Sequence, residues 1–349
     1  MIKRMVAFSC LCLLVLNLSG STAALNGDVK KARSASADLV AMLPASDGVV
    51  TLDVKRFFSD ALPKILASNQ PAMDKVVSAI DKMKARTGID VRQFDHVAAG
   101  VTARKLAEKK YDIEPVIVAR GPLSSAGVID AAKATAKDKF REEKAGIRTI
   151  YIFEAQDLVD QTAKDPGAKD TDLTDKVLGK LSKEIAVSGM DANTIVFGQL
   201  DLVRKAALGQ SKVSAELTTL LNKRPLSVVN FAAKMPAGMS AFLPLDDDDL
   251  GKNVESIRFL YGSMDMAGDS VAMAITARTL QATQAKALLE TLEGLQLIGK
   301  AFIGGVKGPE RQVYARLIDN AKFSAKGNEV AFELQVPQSD IEILVGMLK

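Results

Sequence analysis

The sequence predicts an α+β protein made of duplicated hairpin-helix units, with mainly antiparallel sheets and helices packed on one face. Three observations lead to that class. Ile257, Phe259 and Tyr261, then Val271, Met273, Ile275 and Ala277, alternate with other residues at the period of half-buried strands. Asp265 to Asp269, a turn containing Gly268, separates the two runs and makes them a hairpin. Ala285, Leu288, Leu289, Leu292 and Leu295 then recur at helical spacing, with Thr279 as the expected cap.

Taken in order, the chain begins with Lys3 and Arg4, an uncharged run from Met5 to Leu18, and the small residues Gly20 to Ala24. That is the pattern of a secretory signal peptide, residues 1–24, followed by a tether, residues 25–42. Cleavage removes both cysteines, Cys10 and Cys12, so the mature chain forms no disulfide, thiolate nucleophile or cysteine metal site. It also lowers the basic count from 46 to 44 against 42 acidic side chains, a balance of +2, which makes no electrostatic case for nucleic acid. No transmembrane span is expected after cleavage, and the protein is expected in the periplasm or outside the cell.

The first α+β half is expected at residues 43–224. Leu43-Pro-Ala-Ser-Asp-Gly48 is turn chemistry before the strand Val49 to Val54. A helix is expected from Ala61 to Arg86, restarted at Pro71. Strands are expected at Phe94 to Thr102 and Pro115 to Arg120 with a charged connection, Arg104 to Asp112, between them. An alanine-rich helix capped by Ser124 or Ser125 then runs to Phe140. Ile147 to Phe153 is a strand, Asp157 to Asp175 a solvated insertion, and Ser188 to Phe197 a hairpin before a short helix, Asp201 to Leu208.

The second half, residues 225–349, opens with a strand at Leu226 to Phe231 and an irregular stretch at Met235 to Pro244. Two correspondences argue for duplication. Val116-Ile-Val-Ala-Arg-Gly-Pro-Leu123 and Ala274-Ile-Thr-Ala-Arg-Thr-Leu280 each end a strand in Ala-Arg before a helix. Ser188 to Phe197 matches Phe323 to Phe332, each a hairpin followed by a helix, the second at Ser339 to Leu348. On this scheme Ile147 to Phe153 pairs with Gln312 to Ile318 as a strand.

No motif supplies a catalytic, cofactor-binding or metal-binding residue, and no cofactor is expected. Asp246 to Asp249 fails as an EF-hand, because Leu250 and Ile257 fall at ligand positions, and reads instead as an acidic loop or helix start. Gly294-Leu-Gln-Leu-Ile-Gly-Lys300 resembles a phosphate loop, but Ala301 replaces the magnesium-directed hydroxyl and the context is helical. His96 is the only histidine, too few for a multi-histidine site, and reads as a strand-edge residue with solvent or a carboxylate beside it. The chain has no Trp and four Tyr, which argues against stacking platforms for sugars or single strands. Met235, Met239, Met264, Met266 and Met273 either line an adaptable groove or fill the core.

The Leu43 to Gly48 turn, the Val-Val-x-Leu-Asp-Val strand after it, and Thr87-Gly-Ile-Asp-Val-Arg-Gln-Phe94 resemble exported bacterial proteins grouped as domains of unknown function. The resemblance spans about residues 43–120 and implies an exported α+β protein with no functional residues to carry over. The function expected is a non-enzymatic binding or scaffold protein of the bacterial envelope, its partner a protein or a small apolar ligand. The alternative is a hydrolase with a Ser-Lys or paired-carboxylate site.

Overall fold

The computed structural model describes residues 36–87, 89–107, 110–137, 139–154, 184–235, 249–303 and 308–346. The expected signal peptide at residues 1–24 with Cys10 and Cys12, the expected insertion at Asp157 to Asp175, most of the Met235 to Pro244 stretch and Asp246 to Asp248 lie outside these residues. The chain divides into two compact units: Lys30–Phe58 with Gln70–Thr218, and Ser59–Asn69 with Thr219–Lys349.

In the N-terminal unit the strands are β1 (Gly48–Asp53), β2 (His96–Ala107), β3 (Lys110–Arg120), β4 (Phe140–Ala145), β5 (Arg148–Glu154), β6 (Glu184–Asp191) and β7 (Thr194–Gly198). Their order is β1-β2-β3-β7-β6-β5-β4, every neighbour antiparallel. The longer helices of this unit are α1 (Gln70–Thr87), α2 (Ser125–Thr135) and α3 (Leu200–Ala207), and α4 (Ala215–Leu221) crosses the division at Thr218. Pro71 stands in the first turn of α1, where its missing N–H removes no helical bond. Ser124 caps α2 by accepting from the Gly127 N–H at 3.4 Å.

Several boundaries differ from expectation. The tether does not reach residue 42, since residues 36–40 are helical and Leu39, Val40 and Leu43 are buried. The charged connection is strand: β2 and β3 stay in register from His96↔Arg120 to Lys105↔Tyr111, with Arg104 and Glu114 paired at 2.8 Å. A charged arm can continue a ladder through backbone bonds and cross-strand charge pairs without burying a face. Alanine-rich α2 stops at Thr135, and Phe140 opens β4 instead of closing the helix.

Helices cover both faces of this sheet, which corrects the one-face expectation. Ile129 and Ala132 of α2 pack with Phe153 and Val187. Ile150, Ile152 and Ala186, on the opposite face, are equally buried. There α3 meets the same face through Arg148, which donates to the Ala207 carbonyl at 2.6 Å, and through Arg204, which donates to Glu143 at 2.5 and 2.9 Å. Ile150-Tyr-Ile-Phe153 is apolar at every position, the mark of a strand buried on both sides.

The C-terminal unit holds β8 (Val229–Lys234), β9 (Ile257–Ala267), β10 (Ser270–Thr279), β11 (Lys322–Lys326) and β12 (Glu329–Pro337) in the order β8-β9-β10-β12-β11. Its labelled helices are α5 (Asp249–Glu255), α6 (Ala282–Ile303), α7 (Pro309–Asn320) and α8 (Gln338–Gly346). The β9–β10 hairpin closes through Gly268 at φ +61°, the left-handed backbone a tight hairpin turn requires. Gly262 in β9 admits no side chain: a Cβ would fall 2.3 Å from the Ala274 carbonyl oxygen and 2.8 Å from the Phe231 ring. Thr279 ends β10 rather than capping α6, its hydroxyl lying 2.8 Å from the Gln281 carbonyl and 3.1 Å from that of Asn328.

Gln312 to Ile318 is helix, not strand, and lies in α7. Pro309 occupies the first turn after Gly308, a helix start that outweighs the short apolar run. Val313 is buried, and Arg316 donates to the buried Asp340 of α8. Five strands of each unit nonetheless share one spatial order, β1-β2-β3-β7-β6 and β8-β9-β10-β12-β11, although β4 and β5 intervene between α2 and the β6–β7 hairpin in the N-terminal unit alone among the described residues. The β3 to α2 turn is tied by the Gly121 N–H to the Asn193 carbonyl at 3.3 Å, and the β10 to α6 turn by the Thr279 N–H to the Asn328 carbonyl at 2.9 Å.

Candidate docking surface

Helix α6 follows directly from composition. Ala282 to Ile303 is rich in Ala, Leu, Gln, Lys and Glu, the strong helix formers. Its 22 residues span about 33 Å at 1.5 Å per residue. In the first half Ala285 and Leu288 are buried against Ala277 of β10 and Val330 of β12, with Ile257, Leu260, Leu289 and Leu292 around them. Asn253 of α5 donates to the Thr291 hydroxyl at 2.8 Å and flanks the same half.

The second half continues the apolar pattern without that cover. Leu295 is 44% exposed, Leu297 70%, Ile298 54% and Phe302 78%. Leu295, Ile298 and Phe302 recur at i, i+3 and i+7, so they form one stripe, while Leu297 lies off it. Four of the twelve large apolar side chains exposed among the described residues fall within these eight positions, a concentration unlike the single scatter of an ordinary surface. Covering what the four leave exposed is worth roughly 5 kcal/mol, at about 1.5–3 kcal/mol per fully buried large side chain.

Helix α7 holds this half of α6 in place. Gln296 donates to the carbonyls of Ile318 and Ala321 at 2.6 and 2.8 Å, and Lys300 pairs with Asp319 at 3.2 Å. Gly299 allows the close approach, since a Cβ there would stand 3.2 Å from Ile318. Arg311 and the 45% exposed Tyr314 share one side of α7 with Ile318 by the same i, i+3, i+7 spacing.

Other features weighed in the sequence are absorbed by structure. His96 opens β2 between Asp53 and Arg120, with its Nδ1 buried and without a hydrogen-bond partner, so the expected solvent or carboxylate does not reach that nitrogen. Met264 and Met273 face each other across β9 and β10 and are buried, which makes them core and not groove. Gly294 to Lys300 is continuous helix. Asp249 opens α5, as an acidic helix start should. Ser188 and Ser256 donate their hydroxyls to the carbonyls of Thr149 and Asn253. Among the described residues no three His, Cys, Asp or Glu side chains are grouped to hold a metal, and no helix is long and apolar enough to cross a membrane.

A charged cluster on the C-terminal sheet is likewise self-contained. Lys223 donates to the Tyr261 hydroxyl at 3.0 Å and to Glu329 at 3.3 Å, Arg278 donates to Glu329 at 2.9 and 2.7 Å, and Arg224 donates to Glu333 at 2.9 Å. Burial pushes the Glu329 carboxyl up, but the Arg278 and Lys223 hydrogen bonds outweigh it and hold the group below its ordinary value. Each cation already faces a carboxylate. The terminal strands are guarded too: β4 carries Arg141, Glu142, Glu143 and Lys144, and β11 is five residues long with Lys at both ends.

No protein-family model matches the chain, and no curated protein matches it. Among solved structures the chain is similar to TP0453 in three crystal forms. Form IV aligns at TM-score 0.45 and 10% identity over 90% of this chain and 98% of that one. Form III aligns at 0.42 and 10% over 88% and 97%, and form I at 0.41 and 11% over 89% and 97%. Likeness at this level assigns no function to the chain.

Proposed function

We propose that this chain is an exported, non-enzymatic binding protein of the bacterial periplasm or cell surface, built by internal duplication, that engages its target through the second half of α6. The observation that carries the reading is the run of exposed apolar side chains at Leu295, Leu297, Ile298 and Phe302 on a helix whose first half is core. The duplication is supported by the shared five-strand order and by the matched turn bonds at Asn193 and Asn328. Export is supported by the charged, apolar and small-residue zones of residues 1–24.

The test compares the protein as the cell exports it with a Leu297→Asp/Phe302→Asp variant, each incubated with fractionated native envelope. Retention on one fraction, abolished in the variant while circular dichroism and thermal unfolding stay unchanged, is the expected result. Equal retention of both proteins overturns the assignment of the surface. Turnover in a broad hydrolase screen, abolished by one serine or carboxylate substitution, overturns the non-enzymatic reading.

A further inference from the structure

Resting on the reading of α6 as the binding surface, we infer that the occupant of this surface is the interface of an anionic lipid bilayer, on which the end of α6 lies with the adjoining side of α7. Shape comes first. Side chains exposed by 54–78% at Ile298, Leu297 and Phe302 project from the helix rather than lining a concavity. A projecting apolar ridge suits a deformable planar apolar phase, whereas a small apolar ligand or a partner helix is held in a pocket or groove that encloses it. Among the described residues these side chains stand outward from the helix.

Charge is the second observation, and it names the lipid. Residues 295–322 carry five basic side chains, Lys300, Lys307, Arg311, Arg316 and Lys322, against Glu310 and Asp319. The remainder of the chain outside residues 1–24 has 39 basic and 40 acidic side chains, so the surplus of positive charge falls in the same stretch of sequence as the end of the apolar stripe. Arg316 is committed to Asp340 and Lys300 to Asp319, while Arg311 and Lys322 are exposed. Lys322 follows Ala321, whose carbonyl takes a bond from Gln296, so it stands beside the start of the stripe. Arg311 shares the side of α7 that carries Tyr314. Leu, Ile and Phe projecting from α6, with a half-exposed Tyr and exposed cationic side chains on the helix that packs against it, form an interfacial pattern: rings and aliphatic groups suit the acyl boundary and long cations reach headgroup phosphates. A second copy of this chain would bring the same positive rims together, which like-charge repulsion disfavours.

Vesicle flotation decides the matter, using the protein as exported and vesicles of phosphatidylcholine alone or mixed with phosphatidylglycerol. Wild type is expected to float with the mixed vesicles, weakly with phosphatidylcholine alone, and less in high salt. Ile298→Asp/Phe302→Asp is expected to weaken the partition by on the order of 30-fold or more, and Leu297→Asp serves as a second, independent disruption. Arg311→Gln and Lys322→Gln are each expected to weaken it about five-fold on anionic vesicles only. Flotation insensitive to all of these variants overturns the inference. Failure to float, with retention on an envelope protein that the Phe302 variant loses, overturns the lipid assignment and leaves the binding surface standing. Failure to float, with self-association lost in the same variant, identifies a second copy and also overturns it.

Discussion

Helices α2 and α6 each follow the hairpin β2–β3 or β9–β10 of their unit, yet they differ in how much of themselves they use. α2 has 11 residues and commits its large apolar side chains, Val128 and Ile129, to the core. α6 has 22 residues and commits only the first half, leaving Leu295, Ile298 and Phe302 outward. A helix on a sheet needs apolar side chains only as far as the sheet supports it. Apolar residues beyond that point contribute nothing to folding and favour aggregation. Their presence in one unit and absence from the other argues that α6 is lengthened for contact with something else.

The comparison breaks most sharply at Leu288. Leu288→Ala, at a fully covered position, is expected to destabilise by about 2–5 kcal/mol, and Ile129→Ala in α2 by a similar amount. Phe302→Ala is expected to change stability by less than about 0.5 kcal/mol despite removing a larger side chain. Urea midpoints at constant slope measure all three. A loss at Phe302 equal to that at Leu288 would make the second half of α6 core and remove the contrast between the helices.

The sequence carries the strands and hairpins well because their signals are local. Alternation around Gly268, the Ala-Arg strand ends and the Ser124 cap each act within a few residues. The failures are tertiary or were settled by weak local cues. Gln312 to Ile318 reads equally as strand or helix, and the deciding signal was Pro309 after Gly308. Whether Ile150 to Phe153 needed cover on one face or two was written in its unbroken apolar run. The docking surface was half legible: the stripe through Leu288, Leu292 and Leu295 continues at the same period to Phe302. Where the supporting sheet ends depends on strand order, which no local period records.

A second test compares the units in acid. In the N-terminal unit Asp90 accepts from Arg92 Nε and a terminal guanidinium nitrogen at 2.8 Å each and from the Arg92 N–H at 3.1 Å, and these bonds hold its carboxyl down to about 2. Its folded value lies below the unfolded one near about 4, so the stabilisation is complete above about pH 4 and is lost as pH falls toward about 2. Asp90 is 7% exposed, and the effect is worth about 2 kcal/mol. Asp90→Asn is expected to lower stability at neutral pH by that order and to flatten the acid limb of the urea midpoint. Glu329→Gln in the C-terminal unit removes a carboxylate that is also held low, and is expected to flatten the same limb less, because burial opposes its cations. A larger flattening by Glu329→Gln would place the acid-sensitive anchor in the other unit.

The smallest effect tests whether equivalent positions keep equivalent roles. Arg120 and Arg278 both end the second strand of the first hairpin, and each meets the residue opposite it in register: Thr194 at 2.8 Å and Glu329 at 2.9 Å. The Arg278 to Glu329 pair is three-quarters buried on both sides, whereas Asp191, the carboxylate nearest Arg120, is 44% exposed at 3.3 Å. Hydrogen bonds between charged, partly desolvated groups exceed those at the surface. A double-mutant cycle of Arg278→Ala with Glu329→Gln is therefore expected to give a coupling of about 1 kcal/mol, and one of Arg120→Ala with Asp191→Asn about 0.3 kcal/mol. Equal couplings would mean that the two turns perform one structural task. The expected inequality means that the turn that launches the longer helix is the more tightly held of the two, because the Arg278 to Glu329 pair is the more desolvated.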